Sequence, residues 1–105
     1  QGEYTITRAR SEIDFVRKAI KDGFLDLAET KLKALLSVKI SRDVESEFHL
    51  LLGRIYYEKS LFRMAIQEFD FVIDQYRESK FVDAAVYWTA ETYFKSGNYE
   101  QAVAI

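Results

Sequence analysis

Alanine recurs in this chain at a fixed interval. Ala28, Ala65 and Ala102 follow one another in steps of 37 residues. The turn-forming residues five positions earlier keep the same step: Gly23, Ser60 and Gly97. A constant step of this size is typical of proteins built from stacked structural repeats, in which each unit packs mainly against its neighbours. Because such stacks mostly bind other molecules, the interval favours a binding role over catalysis.

The apolar residues are spaced as in helices rather than strands. From Phe62 they fall at offsets of 3, 4, 7, 10, 11 and 14 residues, which is one face of an α-helix. Gly residues at the expected breaks tolerate the left-handed conformation that ends a helix. We therefore predict six helices, at about 8–21, 25–38, 44–58, 62–76 and 80–95, with the last starting near Tyr99. A capping box at Ser11 is a candidate start for the first helix, and a start nearer Thr7 is the alternative.

Composition narrows the classes of function. The 105 residues suit one domain, and 15 basic against 17 acidic residues give a net charge of −2, without the basic excess of nucleic-acid binders. The chain has no Cys, so disulfides and thiolate metal sites are excluded. No apolar run approaches the ~20 residues of a membrane span, so direct membrane insertion is not expected. We expect Gln1-Gly2 to be the remnant of a tag.

The middle of the chain carries a recognisable pattern. Its residues are His49, Leu52, Gly53 and Tyr56, followed by Ala65 and Phe69. This pattern resembles the tetratricopeptide-repeat (TPR) signature, with His49 in place of the Trp and Arg77 in place of the Pro. The third unit resembles it through Thr89, Ala90 and Tyr93, and the first mainly through its spacing. The 37-residue step and the missing Pro depart from the family, whose unit has about 34 residues.

The resemblance implies an all-α fold, an α-α superhelix (solenoid) of about 2.5–3 antiparallel helix pairs. The units would occupy about 9–45, 46–82 and 83–105, the last one truncated, within a single domain 1–105. The run 65–79 is also similar to repeats of bacterial outer-membrane assembly lipoproteins and of the periplasmic Tol–Pal-associated protein. That likeness favours a periplasmic or outer-membrane-associated location over a cytoplasmic one.

Shifting by 37 residues compares the faces of the first helix in each pair. The side that faces the preceding unit is apolar in the second and third units and polar in the first, as the three sets show: Phe48, Leu51 and Ile55; Ala85, Trp88 and Thr92; Ser11, Asp14 and Lys18. A polar outer face is typical of a terminal repeat. At the C-terminal end, we expect apolar side chains to be left uncovered. Either the chain is a fragment of a longer protein, or another chain covers this end. The candidate self-association residues are Tyr93, Tyr99 and Val103.

The third side of the same helices lines the concave groove in the family that the chain resembles. Its candidate partner-binding residues are Arg17, Leu50, Arg54, Tyr57, Tyr87, Glu91 and Phe94. Either the apolar stripe grips a partner peptide or helix while the arginines pair with its carboxylates, or further helices of the same protein cover it. We expect an interaction module that is part of a larger scaffold. The alternative is a structural domain that forms homo-oligomers through its C-terminal end.

Catalytic and metal-binding chemistry has little support. His49 is the only His, and one His without Cys does not make a metal site. The carboxylate pairs Glu45/Glu47 and Asp70/Asp74 are expected on solvated helix surfaces, and Trp88 is expected in the core between repeats. No Gly-rich phosphate loop or nucleophile motif occurs. We therefore predict no enzyme activity, no cofactor and no metal, with a protein or peptide as the partner.

Overall fold

The computed structural model describes residues 2–38 and 40–98, with side chains from residue 8 onward, and its regular structure is entirely α-helical. The helices are α1 (Gly2–Lys21), α2 (Leu25–Leu36), α3 (Arg42–Glu58), α4 (Phe62–Gln75) and α5 (Val82–Ser96). The first five predicted helices are confirmed, each end within two residues of the prediction except the start of α1. The predicted helix from Tyr99 lies outside the described residues.

The start of α1 corrects the predicted capping box. Ser11 lies in the middle of α1, which begins at Gly2. A start near Thr7 is wrong for the same reason. The chain has neither Gly nor Pro between residues 3 and 22, so nothing in this stretch interrupts the helix. Ser11 is exposed to solvent, where a Ser side chain costs a helix little.

Three helices end in the same way. Gly23, Ser60 and Gly97 have φ angles of 86°, 62° and 93°, in the left-handed region. In each turn the amide of the next residue donates to the carbonyl five positions earlier, at 2.8 Å. This is the Schellman arrangement, which satisfies carbonyls that the helix leaves without partners. At Gly23 and Ser60 it reverses the chain within a few residues, so that α1 and α2, and likewise α3 and α4, run antiparallel.

Helix α3 lies at the centre of the fold. It contacts all four other helices, as its apolar residues on nearly every side predict. Phe48, Leu51 and Ile55 are fully buried in a core cluster that extends from α1 to α5. Helices α1, α3 and α5 contact one another in order, whereas α2 and α4 share no contact within the described residues. The five helices therefore form two layers, with α1, α3 and α5 in one of them.

Gly53 sets the distance between α3 and α4. A Cβ atom at Gly53 would lie 2.5 Å from the Cε1 ring carbon of Phe69, which is itself fully buried. Ala65, one turn before Phe69, is also fully buried. The small residues thus allow a close approach of the two helices while an aromatic ring fills the space beside them, as the sequence predicts.

Charged side chains link α2 to the end of α3. The Lys59 ammonium donates to Asp26 at 2.5 Å and to Glu29 at 2.8 Å. Glu29 also pairs with Lys33 at 2.8 Å. The hydrogen bonds from Lys33 and from Lys59 lower the pKa of Glu29 to about 2. This group therefore stays ionised at neutral pH.

The surface of α1 agrees with the predicted polar end. Ser11, Asp14 and Lys18 are all exposed, whereas their counterparts on α3 are buried, namely Phe48, Leu51 and Ile55. Within the described residues, no helix combines the length and the apolarity needed to cross a membrane.

Candidate functional site

Trp88 contacts three of the seven predicted partner-binding residues, namely Arg54, Tyr57 and Tyr87. The guanidinium of Arg54 lies 4.7 Å from the centre of the Trp88 ring. The rings of Tyr57 and Tyr87 contact Trp88 edge-on, with centroids 5.2 Å and 5.4 Å away. These contacts join α3 to α5 and place cationic and aromatic groups side by side.

The other predicted residues lie on the same side of the molecule, with one exception. Glu91 is close enough to Tyr57 for its charge to act on that residue, and Arg17 is close enough to act on Arg54. Leu50 is only 6% exposed and belongs to the core cluster shared by α1 and α3, so it offers almost no surface to a partner. We call the remaining set the α1–α3–α5 face, and define it by its residues: Arg17, Arg54, Tyr57, Tyr87, Glu91 and Phe94.

Two aromatic side chains of this face are open to solvent. Tyr87 is 57% exposed and Phe94 is 60% exposed, both on α5. They are seven residues apart, two turns of helix, so they point to the same side. The residues at the equivalent 37-residue positions in α1, Ile13 and Ile20, are buried. The same two positions of the repeat are therefore buried in α1 and exposed to solvent in α5.

Tyr57 connects the aromatic and charged parts of the face. The Lys95 ammonium lies 4.4 Å from the centre of its ring. Burial raises the pKa of Tyr57, and the nearby charges of Glu91 and Glu58 raise it further. The phenol therefore remains protonated at neutral pH and can donate a hydrogen bond to an acceptor.

Glu47 corrects the prediction that the carboxylates of α3 lie on a solvated surface. It is fully buried, and its two carboxylate oxygens accept hydrogen bonds from Arg10, at 3.2 Å, and from Arg17. A buried carboxylate without partners would be strongly unfavourable, so the two guanidiniums are needed to hold it. Both arginines keep about half of their side chains in solvent. The pairing was foreseeable in part, because Arg10 precedes Glu47 by one 37-residue step and both belong to the groove side.

Arg54 is less completely paired than Arg10 and Arg17. Its Nε atom is buried and has no hydrogen-bond partner in the described part of the chain. Burial lowers the pKa of Arg54, the charge of Glu58 opposes this effect, and the charge of Arg17 adds to it. Arg54 remains a cation, since the ordinary pKa of arginine is far above neutral. The face therefore holds a partly buried positive charge beside a second one.

The predicted self-association end is described only at Tyr93. This residue is partly buried and lines a cleft of about 310 Å³ between α4 and α5, together with Phe62 and Ile66. Tyr99 and Val103 lie outside the described residues.

His49 contacts two side chains of α4. Its Nδ1 lies 2.7 Å from an oxygen of Glu68, and its ring lies 4.6 Å from that of Phe71. Asp70 and Asp74 are both exposed, as predicted. Among the side chains that the structure describes, no group of three or more His, Asp or Glu residues is placed to hold a metal ion.

The chain matches no family model, no curated protein and no solved structure.

Proposed function

We propose that this chain is a short α-α superhelix of the TPR type with a 37-residue unit, and that it binds a segment of a partner protein on the α1–α3–α5 face without catalysing a reaction. The Schellman turns at Gly23, Ser60 and Gly97 support the repeat, because they place equivalent residues in equivalent conformations. In a curved stack, helices that touch their neighbours lie on the shorter, concave side. The contacts among α1, α3 and α5 therefore support a concave α1–α3–α5 face.

The exposure of Tyr87 and Phe94 is the observation that carries the binding role. Large aromatic side chains are the residues that most often dominate the energy of protein interfaces. Here Tyr87 contacts Trp88, against which the Arg54 guanidinium also lies, and Phe94 is exposed on the same side of α5 two turns farther along. An extended or helical segment can bury apolar side chains on such rings while polar groups fix its position.

Selection of peptides from a displayed random library against the 105-residue chain tests the proposal. We expect the selected peptides to lose at least tenfold in affinity for Phe94→Ala or Tyr87→Ala, since truncating an interface anchor typically costs ~2 kcal/mol or more. Phe24→Ala is the matched control, because Phe24 is 61% exposed, close to the 60% of Phe94, and lies outside this face. Circular dichroism establishes that each variant folds.

Two results would overturn the proposed binding role. One is retention of affinity by both α5 variants. The other is an equal loss with Phe24→Ala, which would show that the peptides bind any exposed ring.

The cleft beside Tyr93 favours a second candidate, in which two copies of the chain associate through their C-terminal ends. Phe62 and Ile66 give this cleft an apolar wall that a second copy could fill. Mass measurement by light scattering over a hundredfold concentration range tests this candidate. We expect dimers that dissociate in Tyr93→Ala and persist in Tyr87→Ala; a monomer at every concentration would exclude this mode.

A further inference from the structure

The basic side of the α1–α3–α5 face has more positive charge than its carboxylates neutralise. Arg10 and Arg17 share Glu47, and Arg17 and Glu58 both act on Arg54. Glu91 acts on Tyr57, and the Lys95 ammonium lies against the Tyr57 ring. Four cations thus stand near three carboxylates, and the positive charge in excess attracts an incoming anion.

Trp88 holds Arg54 in a position suited to such an anion. A guanidinium stacked on an aromatic ring keeps its N–H donors directed sideways, within its own plane. A carboxylate can then approach in that plane and accept two parallel hydrogen bonds. The Arg54 Nε atom is buried and out of a partner's reach. Within the described residues no hydrogen bond or ion pair occupies the terminal amino groups of this guanidinium, so they are the donors that can meet the carboxylate.

We infer that Arg54, assisted by Arg17, binds a side-chain carboxylate of the partner segment, an aspartate or glutamate whose apolar neighbours pack on Tyr87 and Phe94. This inference rests on the proposed function and specifies the partner's chemistry. The basic and aromatic parts of the face are joined through Trp88, which contacts both Arg54 and Tyr87. The preferred ligand is therefore an acidic segment with large apolar residues, and neither feature alone is sufficient.

The fluorescence of Trp88 can report peptide binding, because Trp88 is the only tryptophan in the chain. The probe is a peptide of two glutamates and two phenylalanines, acetylated and amidated so that it carries no terminal charge. The matched peptide has glutamine in place of each glutamate. We expect a saturable change in Trp88 fluorescence, with binding of the glutamine peptide at least tenfold weaker at equal ionic strength.

Two variants locate the site. Arg54→Gln is expected to reduce the affinity for the glutamate peptide at least tenfold. Arg63→Gln removes the same charge from an exposed position on α4, outside this face. This control is expected to change the affinity for the glutamate peptide less than twofold. The comparison of the two peptides uses the unaltered chain, so it decides the question even if Arg54→Gln fails to fold.

The inference is overturned if the glutamate peptide does not bind, if both peptides bind equally, or if a folded Arg54→Gln binds like the unaltered chain. It is also overturned if a phosphoserine version of the peptide binds at least tenfold more tightly than the glutamate version. Equal binding of both peptides that is lost in Phe94→Ala would refute the carboxylate site and leave the proposed function standing. Binding that depends on Arg54 but not on Phe94 would show that the exposed aromatic side chains are not part of the site, which overturns the inference together with the proposed function.

Discussion

Gly53→Ala is expected to destabilise the domain, although the same exchange stabilises most helices. In a helix interior, replacing Gly by Ala ordinarily gains up to ~1 kcal/mol. At this site the new Cβ would lie 2.5 Å, 2.7 Å and 2.9 Å from three ring carbons of Phe69. Carbon atoms pack best at ~3.5–4.0 Å, so an overlap of about 1 Å must be relieved.

The Phe69 ring is fully buried, so relief of this overlap requires the ring or the two helices to shift within a packed core. Overpacking of this kind costs ~1–3 kcal/mol. After subtraction of a gain in helix propensity of up to ~1 kcal/mol, we expect a net loss of up to about 2 kcal/mol. For a domain of this size, a loss of about 2 kcal/mol corresponds to a fall in Tm of roughly 8–16 °C.

Thermal and urea unfolding followed by circular dichroism at 222 nm measure the effect. A comparison of Ser11→Ala with Ser11→Gly, at an exposed position of α1, gives the Gly-to-Ala difference without a packing change. Combining Gly53→Ala with Phe69→Leu, which shortens the obstructing side chain, should recover part of the loss as a coupling energy of at least ~0.5 kcal/mol. A rise in Tm for Gly53→Ala equal to the Ser11 difference would refute the close approach of α3 and α4.

Three further perturbations test individual contacts. Ser60→Gly should raise the free energy of unfolding by about 0.5–1 kcal/mol, because Ser60 has a φ of 62° that only Gly adopts without strain; an unchanged urea midpoint would contradict this reasoning. The pKa of Glu29 is lowered from 4.5 to about 2, so its ion pairs stabilise the fold above about pH 4.5 and lose this effect as the pH falls toward 2. After reduction for solvent screening this amounts to about 1 kcal/mol, and acid unfolding of Glu29→Gln should show a shallower loss of stability over that range. Glu47→Gln should cost about 2–4 kcal/mol, because it leaves the arginines without a counter-charge, whereas Glu78→Gln at an exposed position should cost less than ~0.5 kcal/mol; equal midpoints for these two variants would contradict the buried ion pair.

The helices and their ends, apart from the start of α1, were predictable because they depend on local sequence. The apolar spacing from Phe62 to Tyr76 fixes the buried face of α4 without reference to any other helix. Gly23 and Gly97 mark their turns because few other residues adopt a left-handed φ. Gly53 was predictable as a site of close approach, although the sequence alone does not name Phe69 as the side chain that fills the space.

The state of Glu47 was not predictable from its own surroundings in the sequence. In the sequence, Glu45 and Glu47 are both acidic residues in the first turns of a helix, and nothing nearby distinguishes them. Only Glu47 is fully buried, because α1 brings Arg10 and Arg17 against it. Burial of a charge depends on partners from another helix. The 37-residue step relates Arg10 to Glu47, but it does not show that Glu47 lies beneath the surface or that Arg17 joins the pair.

The exposed fraction of each groove residue could not be predicted for a related reason. Ile13, Leu50 and Tyr87 occupy equivalent positions at 37-residue steps, and their exposed fractions are 1%, 6% and 57%. The repeat pattern assigns all three to one face. Which of them is open depends on what packs against each helix.

Magnitudes show why the aromatic and basic parts of the proposed site must act together. Covering the exposed parts of Tyr87 and Phe94 would remove roughly 100 Å² of each ring from water, or about 5 kcal/mol for the two at ~25 cal/mol per Å². Association itself costs ~4–15 kcal/mol, so an apolar segment alone would bind weakly or not at all. A charge-assisted hydrogen bond from Arg54 to a carboxylate adds ~1.5–3 kcal/mol, a gain of about tenfold to a hundredfold in affinity. A segment that presents both kinds of side chain therefore binds about tenfold to a hundredfold more tightly than one that presents only the apolar kind, which makes the joining of the two parts through Trp88 the basis of selectivity.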